Sequence, residues 1–191
     1  MLVARVIVYL DILIWLFPPF RQHGKRYFYY FLLLGISDPL FQLLYNFVKF
    51  HPFRLYEIFT PLMLISVLNF KWNYKYITTS ALLMIISIFI SAFAQIPFIS
   101  INLLILHLVI LSFFLTATTL ELHNNRTINI FYFVLCLYQL SLAMKYLIFL
   151  IDLRTGVFYF YITTAFEILI AVFFIFFNES NSPKLRIDFN D

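Results

Sequence analysis

The chain has 191 residues, of which 63% are hydrophobic and 12% charged, with a mean hydropathy of +0.94 and a formal net charge of +4. Soluble domains carry about 25% charged residues, so this composition leaves too little polar surface to face water and excludes a soluble globule. The basic residues fall mostly between apolar runs, a pattern that suits orientation in a membrane and not nucleic-acid binding.

A helix needs about 20 residues to cross the roughly 30 Å hydrocarbon core. The first apolar run, 2–19, carries Asp11 in line with Val8 and Trp15 and is followed by "RQHGKR". That positive cluster comes after the run and no small-residue cleavage site is present, so the run is expected to be an uncleaved first helix, not a signal peptide. The second run, 27–49, sets Gly35, Asp38, Gln42 and Asn46 at spacings of three, four and four, which puts them on one helical face. Pro39 in the same run cannot donate to the carbonyl of Gly35. A freed carbonyl in hydrocarbon needs a partner, so this face is expected to point into a bundle. The third run, 54–70, offers Glu57, Thr60 and Pro61.

From Tyr76 to Leu120 there is no Asp, Glu, Lys or Arg. One helix of that length would be roughly 68 Å long, twice the core thickness, so the chain must turn. "QIPFIS" (Gln95–Ser100) is the stretch with breaker chemistry, giving spans at 76–96 and 99–121, the latter with Asn102 and His107. The sixth run, 128–151, presents Tyr138, Ser141 and Lys145 on one face with Gln139 beside it, and includes Cys136, the one cysteine. The seventh, 157–177, carries Thr163, Thr164 and Glu167. The tail, 178–191, is short and polar and is expected to be disordered.

The expected fold is therefore an all-α integral membrane protein, a single domain over 1–177 with about seven transmembrane helices. Three Gly and 26 Phe indicate helices packed through bulky side chains. Arg21, Lys25, Arg26, Lys71, Lys75, Arg126, Lys184 and Arg186 lie in one set of loops, against Arg5, Lys49, Arg54 and Arg154 in the other. The imbalance places the N-terminus outside and the C-terminus in the cytoplasm. Trp15 and Trp72 read as anchors at the inner boundary, and Tyr27, Tyr29, Tyr30, Tyr74 and Tyr76 as an aromatic belt. "HGKRYFYYFLLL" from His23 resembles "HNNRTINIFYFVL" from His123, and "YEIFTPLML" from Tyr56 resembles "FEILIAVFF" from Phe166. The offsets fit a 3+1+3 internal repeat: three helices, a linker helix and three more in parallel orientation.

An ionised side chain at the bilayer centre costs at least roughly 2.5–3.5 kcal/mol, so intramembrane polar groups are candidates for function. Asp11, Asp38, Gln42, Asn46, Glu57, His107, Gln139, Lys145 and Glu167 are the ligand- or proton-binding candidates. Four acids face one internal cation, Lys145, which is expected to pair with Glu57 or Glu167. The surplus requires protonation, a bound cation or a partner's basic group. For Asp38, Gln42 and Asn46, a hydrogen-bond network bracing the Pro39 kink is the equal alternative.

HExxH, GxSxG, P-loop and paired CxxC patterns are absent, and His23, His51 and His123 lie in loops away from His107. The sequence thus nominates no catalytic residue, metal ligand set or cofactor. The expectation is a non-enzymatic membrane protein, either a sensory or ligand-binding bundle or an accessory subunit of a membrane complex. Its partners would be membrane lipid and a protein in the membrane or at its cytoplasmic face. A small proton- or cation-coupled transporter is the alternative, and an intramembrane enzyme acting on lipid or peptide the last. Scarce Gly with abundant Phe, Ile and Asn points to an AT-rich bacterial genome and hence to the inner membrane, as a multi-pass protein.

Overall fold

Apolar runs separated by short polar turns fold as long helices joined end to end. The computed structural model describes residues 2–49, 51–68, 74–152 and 156–187, apart from the side chains of 2–4, 48, 74–77, 156–158 and 160. Along these residues run α1 (Leu2–Trp15), the single turn α2 (Pro18–Arg21), α3 (Phe28–Val48), α4 (Pro52–Leu68), α5 (Tyr74–Phe93), α6 (Ile96–Asn125), α7 (Ile130–Leu150) and α8 (Gly156–Phe176). Two three-residue strands, β1 (Thr127–Asn129) and β2 (Lys184–Arg186), complete the elements. The seven long helices stand where the seven apolar runs lie. Among the described residues, α3, α6 and α7 are long and apolar enough to cross a membrane.

The first run is not one helix. Pro18 and Pro19 lack N–H groups, so the carbonyls of Ile14 and Trp15 lose their helical donors and α1 stops at Trp15. The Phe17 N–H takes the Ile14 carbonyl at 3.1 Å. The Trp15 carbonyl instead lies against Gly35 of α3, where a Cβ would stand 2.7 Å from its oxygen. One of the few glycines is thus used for a close backbone approach. Elsewhere the chain tolerates its prolines: α3 runs unbroken through Pro39 and α4 through Pro61. Ser37 Oγ donates to the Leu34 carbonyl at 2.9 Å in the turn before Pro39. The expected break in the long apolar stretch falls at Ala94–Gln95, and Pro97 takes a place in the first turn of α6, where its missing N–H costs nothing.

Each of α1, α3, α4, α6, α7 and α8 packs on the next, and α8 returns to α1, so six helices close a ring in chain order. Helix α5 packs on α4 outside that ring. The upper end of the ring holds the start of α1 and the α3–α4 turn; the lower end holds α2, the α6–α7 turn and the tail.

The lower half is filled. Tyr27, Tyr30, Phe31, Phe114, Phe131 and Phe174 are 2% exposed or less and belong to one apolar cluster. Phe174 packs on Phe31 at 4.7 Å and on Phe131 at 5.4 Å between centroids, both edge to face, the geometry that aromatic quadrupoles favour. The expected belt is accordingly corrected: Tyr29 faces outward, but Tyr27 and Tyr30 are core, as is Trp15 at 3% exposure. Trp72 lies outside the described residues, and the side chains of Tyr74 and Tyr76 outside the described side chains.

The tail is also corrected. Residues 178–187 are folded, not disordered. Asn178 Oδ1 accepts from the backbone of Ser180 and Asn181 to make a tight turn, and β2 then pairs antiparallel with β1, Ile128 opposite Leu185. Asn129 holds both sides: its Oδ1 caps α7 at the Phe131 N–H (3.0 Å) and its Nδ2 donates to the Glu179 carbonyl (3.1 Å). Lys184 reaches Glu121 of α6 at 2.8 Å. Gln22 is fully buried and donates to the Phe177 carbonyl at 2.9 Å, satisfying the end of α8.

Candidate functional site

The upper half of the ring encloses a cavity of about 480 Å³. Its wall is built from one stripe per helix. Val8, Asp11 and Trp15 recur at helical spacing along α1, as do Leu34, Asp38 and Gln42 along α3 and Phe53, Tyr56, Thr60 and Met63 along α4. Helix α6 contributes His107, α7 contributes Tyr138, Leu142, Lys145 and Tyr146, and α8 contributes Thr164 and Glu167. Trp15, Leu34, Met63 and Tyr138 belong also to the apolar cluster below and form the floor. The lining ends at Tyr45, which is 48% exposed and marks the upper mouth.

Six of the nine residues singled out by the sequence therefore meet on one cavity: Asp11, Asp38, Gln42, His107, Lys145 and Glu167. Gln139 stands directly behind it. His107 Nδ1 pairs with Gln139 Oε1 at 2.8 Å, and Gln139 Nε2 donates to the Tyr30 hydroxyl. An amide oxygen only accepts, so Nδ1 carries a proton in this arrangement. The imidazole also stacks on Tyr146, ring centroids 5.4 Å apart at 17°.

Two candidates lie elsewhere. Glu57 is fully buried but sits about 100° round α4 from Tyr56, so it turns toward α6 and accepts from Asn102 Nδ2. Asn46 is exposed and does not line the cavity. Steps of four residues drift by about 40° each, which carries Asn46 about 80° away from Asp38.

The charged groups are held in distinct ways. Lys145 Nζ meets Glu167 Oε2 at 2.6 Å; the lysine side chain is 35% exposed and the glutamate 7%. Of the two partners expected for Lys145, the structure thus pairs it with Glu167. Asp38 Oδ1 accepts from the Tyr56 hydroxyl at 2.7 Å, which ties α3 to α4 one residue before Pro39. Three carboxylate oxygens are buried with no hydrogen-bond partner: Asp11 Oδ1 and Glu167 Oε1 on the cavity, and Glu57 Oε2 away from it. Tyr56 and Tyr146 were not singled out as site residues from sequence. Tyr56 could have been found one turn before Thr60 on the same face; Tyr146 follows Lys145 in a run where every neighbour is apolar or aromatic.

The arrangement is suited to hold a small molecule by its polar groups against aromatic walls. It aligns no nucleophile with His107: Ser141 lies off the cavity, and Ser112 donates to the Val109 carbonyl. Compared with protein-family models, curated proteins and solved structures, the chain matches none.

Proposed function

We propose that the chain is a seven-helix integral membrane bundle of the ligand-binding, sensory type, without catalytic activity, that receives a small molecule in its upper cavity. The observation that carries this reading is the closed ring around a cavity of about 480 Å³, lined as far as the exposed Tyr45 at its upper end and floored by packed aromatic rings. Ligand sites of this kind have volumes of roughly 300–1,000 Å³ with a few convergent polar groups on apolar walls. Arg21, Lys25, Arg26, Arg126, Lys184 and Arg186 gather at the lower end, which makes it the cytoplasmic face and leaves the cavity facing outward across an inner membrane. A response would pass to a protein partner at the basic lower face, and an accessory subunit of a membrane complex would use the same surface. The Asp38–Tyr56 bond joins the two proline-bearing helices, and a ligand that competes for either group would shift α3 against α4.

The test is site-directed labelling. Gln42→Cys in a Cys136→Ala background should react with a membrane-impermeant maleimide from the outer side alone. Native mass spectrometry should find a bound small molecule that protects it. Failure to label from the outer side would remove the reading.

A cation-coupled transporter is the second reading. It is favoured by the order of the ring, in which α1, α3 and α4 are followed by α6, α7 and α8 with α5 as linker, the arrangement of a 3+1+3 repeat. Phe31 and Phe131, equivalent in the two halves, face each other at 6.2 Å. Labelling from both sides, with flux in vesicles, would favour it.

A further inference from the structure

The cavity wall carries three carboxylates, Asp11, Asp38 and Glu167, against one ammonium, Lys145, a formal surplus of two negative charges. Within a helical bundle in lipid such a surplus is relieved by protonation or by a counter-charge. Lys145 already occupies one oxygen of Glu167, and the other, Oε1, has no donor although the residue is only 5% exposed. A buried acceptor left unpaired is costly, so the site lacks a donor that the chain itself does not provide. Among the described residues no three His, Cys, Asp or Glu side chains converge closely enough to ligate one metal ion. The acids instead stand on three different helices round a space large enough for an organic molecule. The remaining walls are aromatic: Trp15 against Tyr138 at 4.7 Å, with Tyr56 and Tyr146 opposite the acids' own helices. Aromatic faces attract organic cations, and an ammonium group offers up to three donors to carboxylate oxygens.

We infer that the cavity is a site for a small organic amine with an apolar or aromatic body, its ammonium group held by Glu167 and Asp38. This rests on the ligand-binding reading above. An inorganic cation would leave the aromatic walls unused, and an anion would meet three carboxylates.

Trp15 on the cavity floor supplies the reporter. In a Trp72→Phe variant reconstituted in phosphatidylcholine nanodiscs, its fluorescence is titrated with phenethylamine, 2-phenylethanol and phenylacetate, which share a body and differ in charge. The expected result is a saturable change with phenethylamine, at least tenfold weaker binding of 2-phenylethanol, and none of phenylacetate. Glu167→Gln and Asp38→Asn should each weaken phenethylamine at least tenfold and leave 2-phenylethanol unchanged. Equal binding of 2-phenylethanol and phenethylamine would overturn the amine assignment while leaving the cavity a ligand site. Preference for phenylacetate would do the same. No saturable change with any of the three would overturn both the assignment and the ligand-binding reading.

Discussion

The two halves of the helix ring are made from nearly the same residues and do opposite things. Below, Tyr27, Tyr30, Phe31, Phe114, Phe131 and Phe174 fill the space between helices. Above, Trp15, Phe41, Tyr56, Tyr138 and Tyr146 line a space and leave it open. What separates them is the polar groups set among the rings. In the lower half, the buried link from Tyr30 through Gln139 to His107 satisfies its polar groups with one another. In the upper half, Lys145 pairs with Glu167 and Asp38 accepts from Tyr56, but Asp11 Oδ1 and Glu167 Oε1 are left without a donor. In lipid, apolar transfer contributes little to helix association, so contact density and satisfied hydrogen bonds decide which region is rigid.

The comparison can be broken by mutation. The largest effect is expected from Phe31→Ala, which would cost about 3–5 kcal/mol by emptying a filled site. Leu142→Ala, beside space that is already open, should cost only about 1 kcal/mol. Reversible unfolding in mixed detergent micelles would measure both, and equal losses would mean that the halves do not differ in packing. Lys145→Met comes next: it leaves Glu167 buried without its cation, a loss of about 2 kcal/mol once the lysine's partial exposure is allowed for. Adding Glu167→Gln should restore most of that loss in the same assay, and a double variant as unstable as the single would show that the pair does not hold α7 to α8. The last prediction concerns the seam between the halves, and there the sign decides. In an ordinary helix interior Gly→Ala stabilises by roughly 1 kcal/mol. At Gly35 the new Cβ would meet the Trp15 carbonyl, so Gly35→Ala should destabilise by about 1–3 kcal/mol. A rise in stability would show that α1 approaches α3 less closely than described here.

Much of the architecture was legible because length and charge report on it directly. The turn at Gln95 followed from arithmetic on an uncharged run, and Lys145 had few acids to choose from. That Asp38 and Gln42 share a face followed from helical spacing, whereas their meeting with Asp11 and Glu167 on one cavity is given by the packing of the ring. Other features were hidden for a physical reason. In a chain this apolar, a residue facing lipid and one facing the core look alike, so Tyr27, Tyr30 and Trp15 read as interfacial although they are buried. Tyr56 stands one turn before Thr60 on the same face, but its bond to Asp38 is visible only once α3 and α4 are set side by side. A row at steps of four winds round the helix, so Asn46 leaves the face that Asp38 and Gln42 share. The tail misled by composition: its polar side chains hydrogen-bond within a turn and a short sheet, not to water alone.

That sheet has a consequence for biosynthesis. Strand β1 emerges before α7 and α8 are made, and its partner β2 only after them. No part of the pairing can form while the last two helices are still being delivered. The clasp that ties the α6–α7 turn to the tail therefore closes last, and a polypeptide cut short before Lys184 would carry all seven long helices without the β1–β2 pairing or the Lys184–Glu121 ion pair.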